Sequence, residues 1–233
     1  MDGTSTQPGT GIGSLAGRAF AAVLFDLDGT LIDSTPAVER SWRTLAAEHG
    51  VELAFGTFHG IPAAQAVPMV LGDGIDDVEV AAAVARLTEL EVADTDGVVA
   101  LPGAAAALAD VPRDRAAIVT SCTEPLADAR IGIAGLRPPD VVVTADLTPV
   151  GKPDPAPYLL AARLLGVDPA ACLVVEDAPA GLLAARSAGA ATLALGTTYD
   201  LAELDGDGRV ATLADVRFFA APGGVSVSYV GPG

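Results

Sequence analysis

Two residue types are nearly or wholly missing from this chain of 233 residues. Asparagine does not occur, and of 13 basic residues only Lys152 is a lysine. Cysteine is scarce as well. Cys122 and Cys172 are the only two, too few for a disulfide framework or a structural zinc site. No stretch approaches the roughly 18 consecutive apolar residues that span a bilayer. The first eighteen residues have no basic start followed by an apolar run, so they do not read as a secretory signal. These absences predict a cytoplasmic protein with a disordered tail over residues 1–19.

Positive charge is also short. Thirteen basic residues against 30 acidic ones leave a net charge of −17. Such a field repels DNA, RNA and anionic membranes, so neither nucleic acid nor a membrane is an expected partner. It repels phosphorylated metabolites too, so any anion site must carry its own local positive charge. The expected assembly is a monomer or weak dimer. What the chain does have is apolar bulk, with 51% hydrophobic residues, enough for a sizeable core.

That apolar content is patterned. Residues 21–25 form a short apolar run bounded by acidic and glycine residues, as a buried strand does. A helix is expected from Pro36 to His49. Residues 51–100 show helical patterns over 62–71 and 76–93 and no clear strand. From Leu101 the chain alternates: helix 103–110, strand 116–120, helix 123–134, strand 141–144, helix 154–166, strand 171–176, helix 178–189, strand 191–196. This rhythm predicts an α/β protein with a parallel sheet and helices on both faces. Residues 210–213 read as one more strand, and 225–230 as an edge strand paired with 215–219. The expected organisation is a core of 20–34 and 101–233, interrupted by a helical cap over 35–100. Ligands of open parallel sheets bind at the carboxyl ends of strands, so an insertion after the first strand sits over the site as a lid.

Four strand ends carry chemistry. Asp26 and Asp28, in Phe25-Asp26-Leu27-Asp28-Gly29-Thr30, point to one side if strand geometry persists. Crowding them requires a cation, and hard Mg²⁺ suits carboxylate and carbonyl oxygens. Thr120 and Ser121 end another strand with hydroxyls suited to phosphoryl oxygens. Lys152 places a compact point charge in an arginine-using chain, although a surface lysine would read the same way. Glu176 and Asp177 end a further apolar strand, either as cation ligands or as an acidic cap to the helix beginning near Pro179.

Taken together, the four segments resemble the haloacid dehalogenase superfamily, in the order Asp26, Thr120, Lys152, Glu176-Asp177. Within it the chain resembles the phosphatases of sugar phosphates, glycerol 3-phosphate and 2-deoxyglucose 6-phosphate. The shared stretches include 24–42, His59-Gly60, 117–121, 151–166, 174–189 and 196–201. Cys122 departs from the glycine usual there. The resemblance implies a Rossmann-like core and a Mg²⁺-dependent phosphatase acting on a small phosphorylated metabolite. Asp26 would be the nucleophile and Asp28 the general acid and base. Asp26, the Asp28 carbonyl, Asp177 and Glu176 would serve the metal. Thr120, Lys152 and the backbone near Asp28 and Gly29 would hold the phosphoryl group. In the cap, His59 aligns with a histidine of this group, and Gln65 is a candidate partner for a substrate hydroxyl.

A β-phosphoglucomutase is the nearest rival, but its cap group for a distal phosphate and its hinge histidine align with Ala63 and Val38. A non-catalytic binding or regulatory protein of the same fold is the rival from another class, and the filled catalytic positions argue against it.

Overall fold

The apolar runs after Ala21, Arg115, Ala171 and Ala190 are buried at every position, and a strand buried on both faces needs a layer on each side. The computed structural model describes residues 10–53, 63–72 and 74–231. In chain order it has β1 (Ala22–Phe25), β2 (Ile32–Asp33), α1 (Thr35–Glu48), α2 (Ala63–Leu71), α3 (Asp77–Ala93) and β3 (Val99–Ala100). There follow α4 (Ala104–Asp110), β4 (Ala116–Val119), α5 (Glu124–Ile133), β5 (Val141–Val143), α6 (Ala156–Leu165) and β6 (Cys172–Glu176). The chain closes with α7 (Pro179–Ser187), β7 (Ala191–Leu195), β8 (Gly208–Val210), β9 (Val216–Ala221) and β10 (Gly224–Tyr229).

Six strands form one sheet in the order β5-β4-β1-β6-β7-β8, and every neighbouring pair is parallel. Alternate residues feed two cores. Val23, Phe25, Ile118, Leu173 and Val175 face one cluster with Leu126 of α5 and Phe218 of β9. Leu24, Ala117, Val119 and Val174 face another with Tyr158 and Ala161 of α6 and Ala184 of α7. The period-two alternation of the strands thus distributes them between two helix layers. The chain runs from β1 to one side (β4, β5), then returns to the other (β6 to β8). Three carboxyl ends, those of β4, β1 and β6, therefore lie side by side, with neighbouring strands roughly 4.8 Å apart.

Between β2 and β3 the chain leaves the sheet. Helices α1, α2 and α3 pack on a separate cluster of Trp42, Leu45, Val67 and Leu87. A capping box starts α3: Asp76 accepts from the Val78 and Glu79 amides, and Glu79 accepts from Asp76 N. The outgoing and returning strands pair as an antiparallel ribbon, Ile32 opposite Ala100 and Asp33 opposite Val99.

Two expectations need correction. Disorder does not extend to residue 19: Leu15 is fully buried, and Gly11 and Arg209 exchange backbone hydrogen bonds at the edge of β8. The strand expected over 210–213 instead runs from Gly208 to Val210, because Leu213–Asp215 forms a single helical turn capped by Thr212. The expected pairing of 225–230 with 215–219 is present: β9 and β10 pair with each other, in a two-stranded sheet separate from the main one. Among the described residues, no helix is long and apolar enough to cross a membrane.

Candidate active site

Asp26 follows β1 directly, and its amide continues the ladder by donating to Val175 O. Its carboxylate is buried and accepts from Lys152 Nζ at 2.5 Å. The chain then turns tightly. Leu31 and Ile32 amides both donate to Leu27 O, and Gly29 N donates to Ile32 O. Gly29 has φ +85°, and a Cβ there would fall 2.1 Å from Asp177 Oδ2. Only glycine lets the turn come this close to the end of β6. The Gly29 amide is thus engaged within the turn, and Gly29 lines the cleft described below.

The end of β6 closes the other side. Glu176 is buried and uses both oxygens on the protein. Its Oε1 accepts from Lys152 Nζ at 2.7 Å and Tyr158 Oη at 3.0 Å. Its Oε2 accepts from the amides of Asp177 and Ala178. Gly181 of α7 makes room for this, since a Cβ there would lie 1.7 Å from Glu176 Oε1. Lys152 Nζ completes its donors at Val119 O, 3.0 Å away. Asp177 accepts from Thr30 Oγ1 at 3.2 Å. Asp26, Glu176 and Asp177 each offer an oxygen within 4.8 Å of the others.

The electrostatics of this cluster are unbalanced. Three carboxylates face one buried ammonium. Burial raises the Asp26 pKa well above the usual carboxylate range; Lys152 opposes this, while Glu176 and Asp177 reinforce it. Asp177 is pushed up to about 7, chiefly by burial and then by Glu176. Burial works against the Lys152 ammonium, but Asp26 and Glu176 outweigh it and hold the lysine firmly protonated. An oxygen-only, net anionic and buried donor set fits a hard divalent cation.

Thr120 stands at the end of β4, its amide donating to Val143 O and its hydroxyl accepting from Cys122 N at 3.0 Å. Ser121 is exposed at the rim. Asp26, Asp28, Gly29, Thr120, Ser121, Lys152, Glu176 and Asp177 all line one cleft of about 390 Å³. The cap contributes Val38, Trp42, Ala63, Leu87 and Glu91 to the same cleft. The two expected cap contacts fare differently from the core residues. His59 lies outside the described residues. Gln65 is exposed on α2 and does not line the cleft, whose wall there is Ala63. The position of α2 turns that face outward.

Sequence reading missed a second polar cluster beside the first. Arg130 on α5 is 4% exposed. It donates to Asp28 Oδ1 at 2.8 Å, to Cys122 Sγ at 3.2 Å and to Glu91 Oε1 of α3 at 3.1 Å. Ser34 stands at the start of α1 without capping it; its hydroxyl donates instead to Asp28 Oδ1 at 2.6 Å. One signal was legible: Arg130 shares its helix face with Leu126, Ala127 and Ile131, where an unpaired cation is disfavoured.

Comparison with known proteins places this geometry. A family model described as haloacid dehalogenase-like hydrolase matches residues 20–189. Hexitol phosphatase A of Escherichia coli is 45% identical over 78% of this chain and 86% of its own length. Glycerol-1-phosphate phosphohydrolase 2 of Saccharomyces cerevisiae is 34% identical over 77% and 76%. The crystal structure of a hydrolase from Pseudomonas syringae superposes with a TM-score of 0.72 at 29% identity, covering 83% of this chain and 94% of that one. A matched family model over most of the chain, phosphatase relatives well above 30% identity and the same α/β architecture agree with the expected phosphoric monoester hydrolase: the chain belongs to the haloacid dehalogenase-like hydrolase family.

Proposed function

We propose that this protein is a Mg²⁺-dependent phosphatase of small sugar or polyol monophosphates, working through an aspartyl-phosphate on Asp26. The observation that carries the reading is the Asp26–Lys152 pair, set beside Asp177 at three adjoining strand ends and covered by a cap wall that is largely apolar. The names of the relatives supply the substrate class: hexitol and glycerol phosphates are small, hydroxyl-rich monoesters.

The chain's residues divide the work by chemistry. An Asp26 oxygen attacks phosphorus while Lys152 neutralises charge on the transferring group. Asp28, two residues on, gives its proton to the leaving alkoxide and later takes one from the water that hydrolyses the aspartyl-phosphate. Thr120 donates its hydroxyl to a phosphoryl oxygen. Asp26, Asp177 and the Asp28 carbonyl would hold Mg²⁺, which when bound would supply positive charge to the transferring phosphoryl group. Glu176, with four hydrogen bonds already accepted from the protein, acts by fixing Lys152 and the start of α7.

The cap decides between hydrolysis and phosphosugar mutation. A mutase must hold a second phosphate across the cleft. Val38 and Ala63, both apolar, line it there. From Gly50 to Leu101 the only basic residues are Arg86 and His59, and Arg86 is committed to Glu48 and Glu89. A panel of hexitol, glycerol, hexose and deoxyhexose monophosphates, assayed for phosphate release, tests the reading. Turnover of several such esters is expected. Conversion of a sugar 1-phosphate to its 6-phosphate without phosphate release would overturn it.

A further inference from the structure

Arg130 is an anomaly for its position. Its helical neighbours on the buried face are Leu126, Ala127 and Ile131, and an apolar residue there would avoid the desolvation cost of a buried ion pair. Instead the side chain spans two bodies of the molecule. One end of its guanidinium meets Asp28 at 2.8 Å in the core loop, and the other meets Glu91 at 3.1 Å on cap helix α3. Asp28 Oδ1 thereby accepts from both Arg130 and Ser34. Asp28 Oδ2 accepts from the weak donor Cys122 Sγ at 3.0 Å.

We infer that Arg130 is a positioning residue that aims Asp28 at the leaving oxygen, and that Glu91 makes this alignment depend on the cap being seated. The inference rests on the phosphatase reading above and adds to it a residue pair that controls proton delivery. With Oδ1 held by Arg130 and Ser34, the orientation of the Asp28 carboxyl is fixed relative to the cleft. As the bond from Asp26 to phosphorus forms, the phosphorus–oxygen ester bond breaks. Its electron pair goes to the leaving oxygen, which takes a proton delivered through Asp28, and Asp28 remains as a carboxylate paired with Arg130. If α3 moves away from α5, Glu91 leaves, and the guanidinium loses the partner that holds its other end.

Leaving-group chemistry isolates this role. An alkoxide needs a proton as it departs, whereas p-nitrophenolate does not, and kcat/KM reports only steps up to phosphoryl transfer. Arg130→Gln is therefore expected to lower kcat/KM for glycerol phosphate by about 100-fold, in the range of a lost general acid. For p-nitrophenyl phosphate the fall is expected to be less than about tenfold. Arg130→Lys should recover part of the difference, since it restores one donor. Glu91→Gln should shift the two substrates apart in the same direction by a smaller factor, and it serves as the test if Arg130→Gln does not fold. Equal losses on both substrates, or an unchanged ratio in Glu91→Gln and Arg130→Lys, would overturn the inference while leaving the phosphatase reading intact. A wild-type protein that hydrolyses neither ester would overturn that reading itself.

Discussion

The floor and the ceiling of the cleft are built from opposite materials. The floor, at the ends of β1, β4 and β6, holds Asp26, Lys152, Glu176 and Asp177 in a buried network whose acids all have protein donors. Among the described residues the ceiling contributes Val38, Trp42, Ala63 and Leu87, with Glu91 as its one charged side chain. Glu91 is itself tied to Arg130. In the proposed function the floor takes the phosphoryl group and the metal. Selection among esters falls to the ceiling, which offers apolar surface and no unpaired cation among its described residues. Reaction type and substrate choice thus reside in different parts of the chain and answer to different substitutions.

The strongest way to break this division is on the floor. Asp26→Asn keeps the shape but removes the nucleophile, and turnover is expected to fall by about a thousandfold or more. Thermal unfolding should show the fold retained, because the change relieves a crowded, buried acid. Residual activity above about a hundredth of wild type would show that Asp26 does not attack phosphorus.

A smaller effect probes the ceiling. A bisphosphate brings further negative charge into a protein of net −17 and points its distal group at an apolar wall, where unpaired charge is costly. The expected kcat/KM for a hexose or hexitol monophosphate exceeds that for fructose bisphosphate by about tenfold or more, since each 1.4 kcal/mol is one factor of ten. The reverse preference would show that the cap presents a positive group to the second phosphate.

The smallest effect sharpens the electrostatic account of the floor. Asp177 has its folded pKa raised to about 7 by burial and Glu176, above the roughly 3.9 of a free aspartate. Its contribution to stability is therefore fully present below about pH 4 and is lost as the pH rises through about 7. Asp26 is shifted in the same direction. Mg²⁺ must displace protons at low pH but meets free carboxylates at high pH. Scanning calorimetry should show a rise in Tm on adding Mg²⁺ that is a few degrees larger at pH 8 than at pH 6. Equal rises would show that the acids are already ionised without the metal.

Much of this was legible beforehand, for a physical reason. Buried parallel strands are short unbroken apolar runs, so Asp26, Thr120 and Glu176 announce themselves as the first polar residues after them. What stayed hidden depends on tertiary contacts. Residues 10–19 have no periodicity, yet Leu15 is buried and Gly11 pairs with Arg209. The apolar face that Arg130 shares with Leu126, Ala127 and Ile131 marks it as buried, but its partners appear only when the fold brings Asp28 and, at 3.1 Å, Glu91 of α3 to it. Gln65 looked suited to a substrate hydroxyl, but the packing of Ala66, Val67 and Val70 into the cap turns it outward.

In the proposed function the acidic cluster of Asp26 and Asp177 works with a divalent cation to hydrolyse a phosphomonoester. Phosphate release from a hexitol monophosphate, measured before and after EDTA and again after added Mg²⁺, tests it most directly. Loss of turnover with the chelator and its return with Mg²⁺ is the predicted result, and undiminished turnover in EDTA would contradict the account.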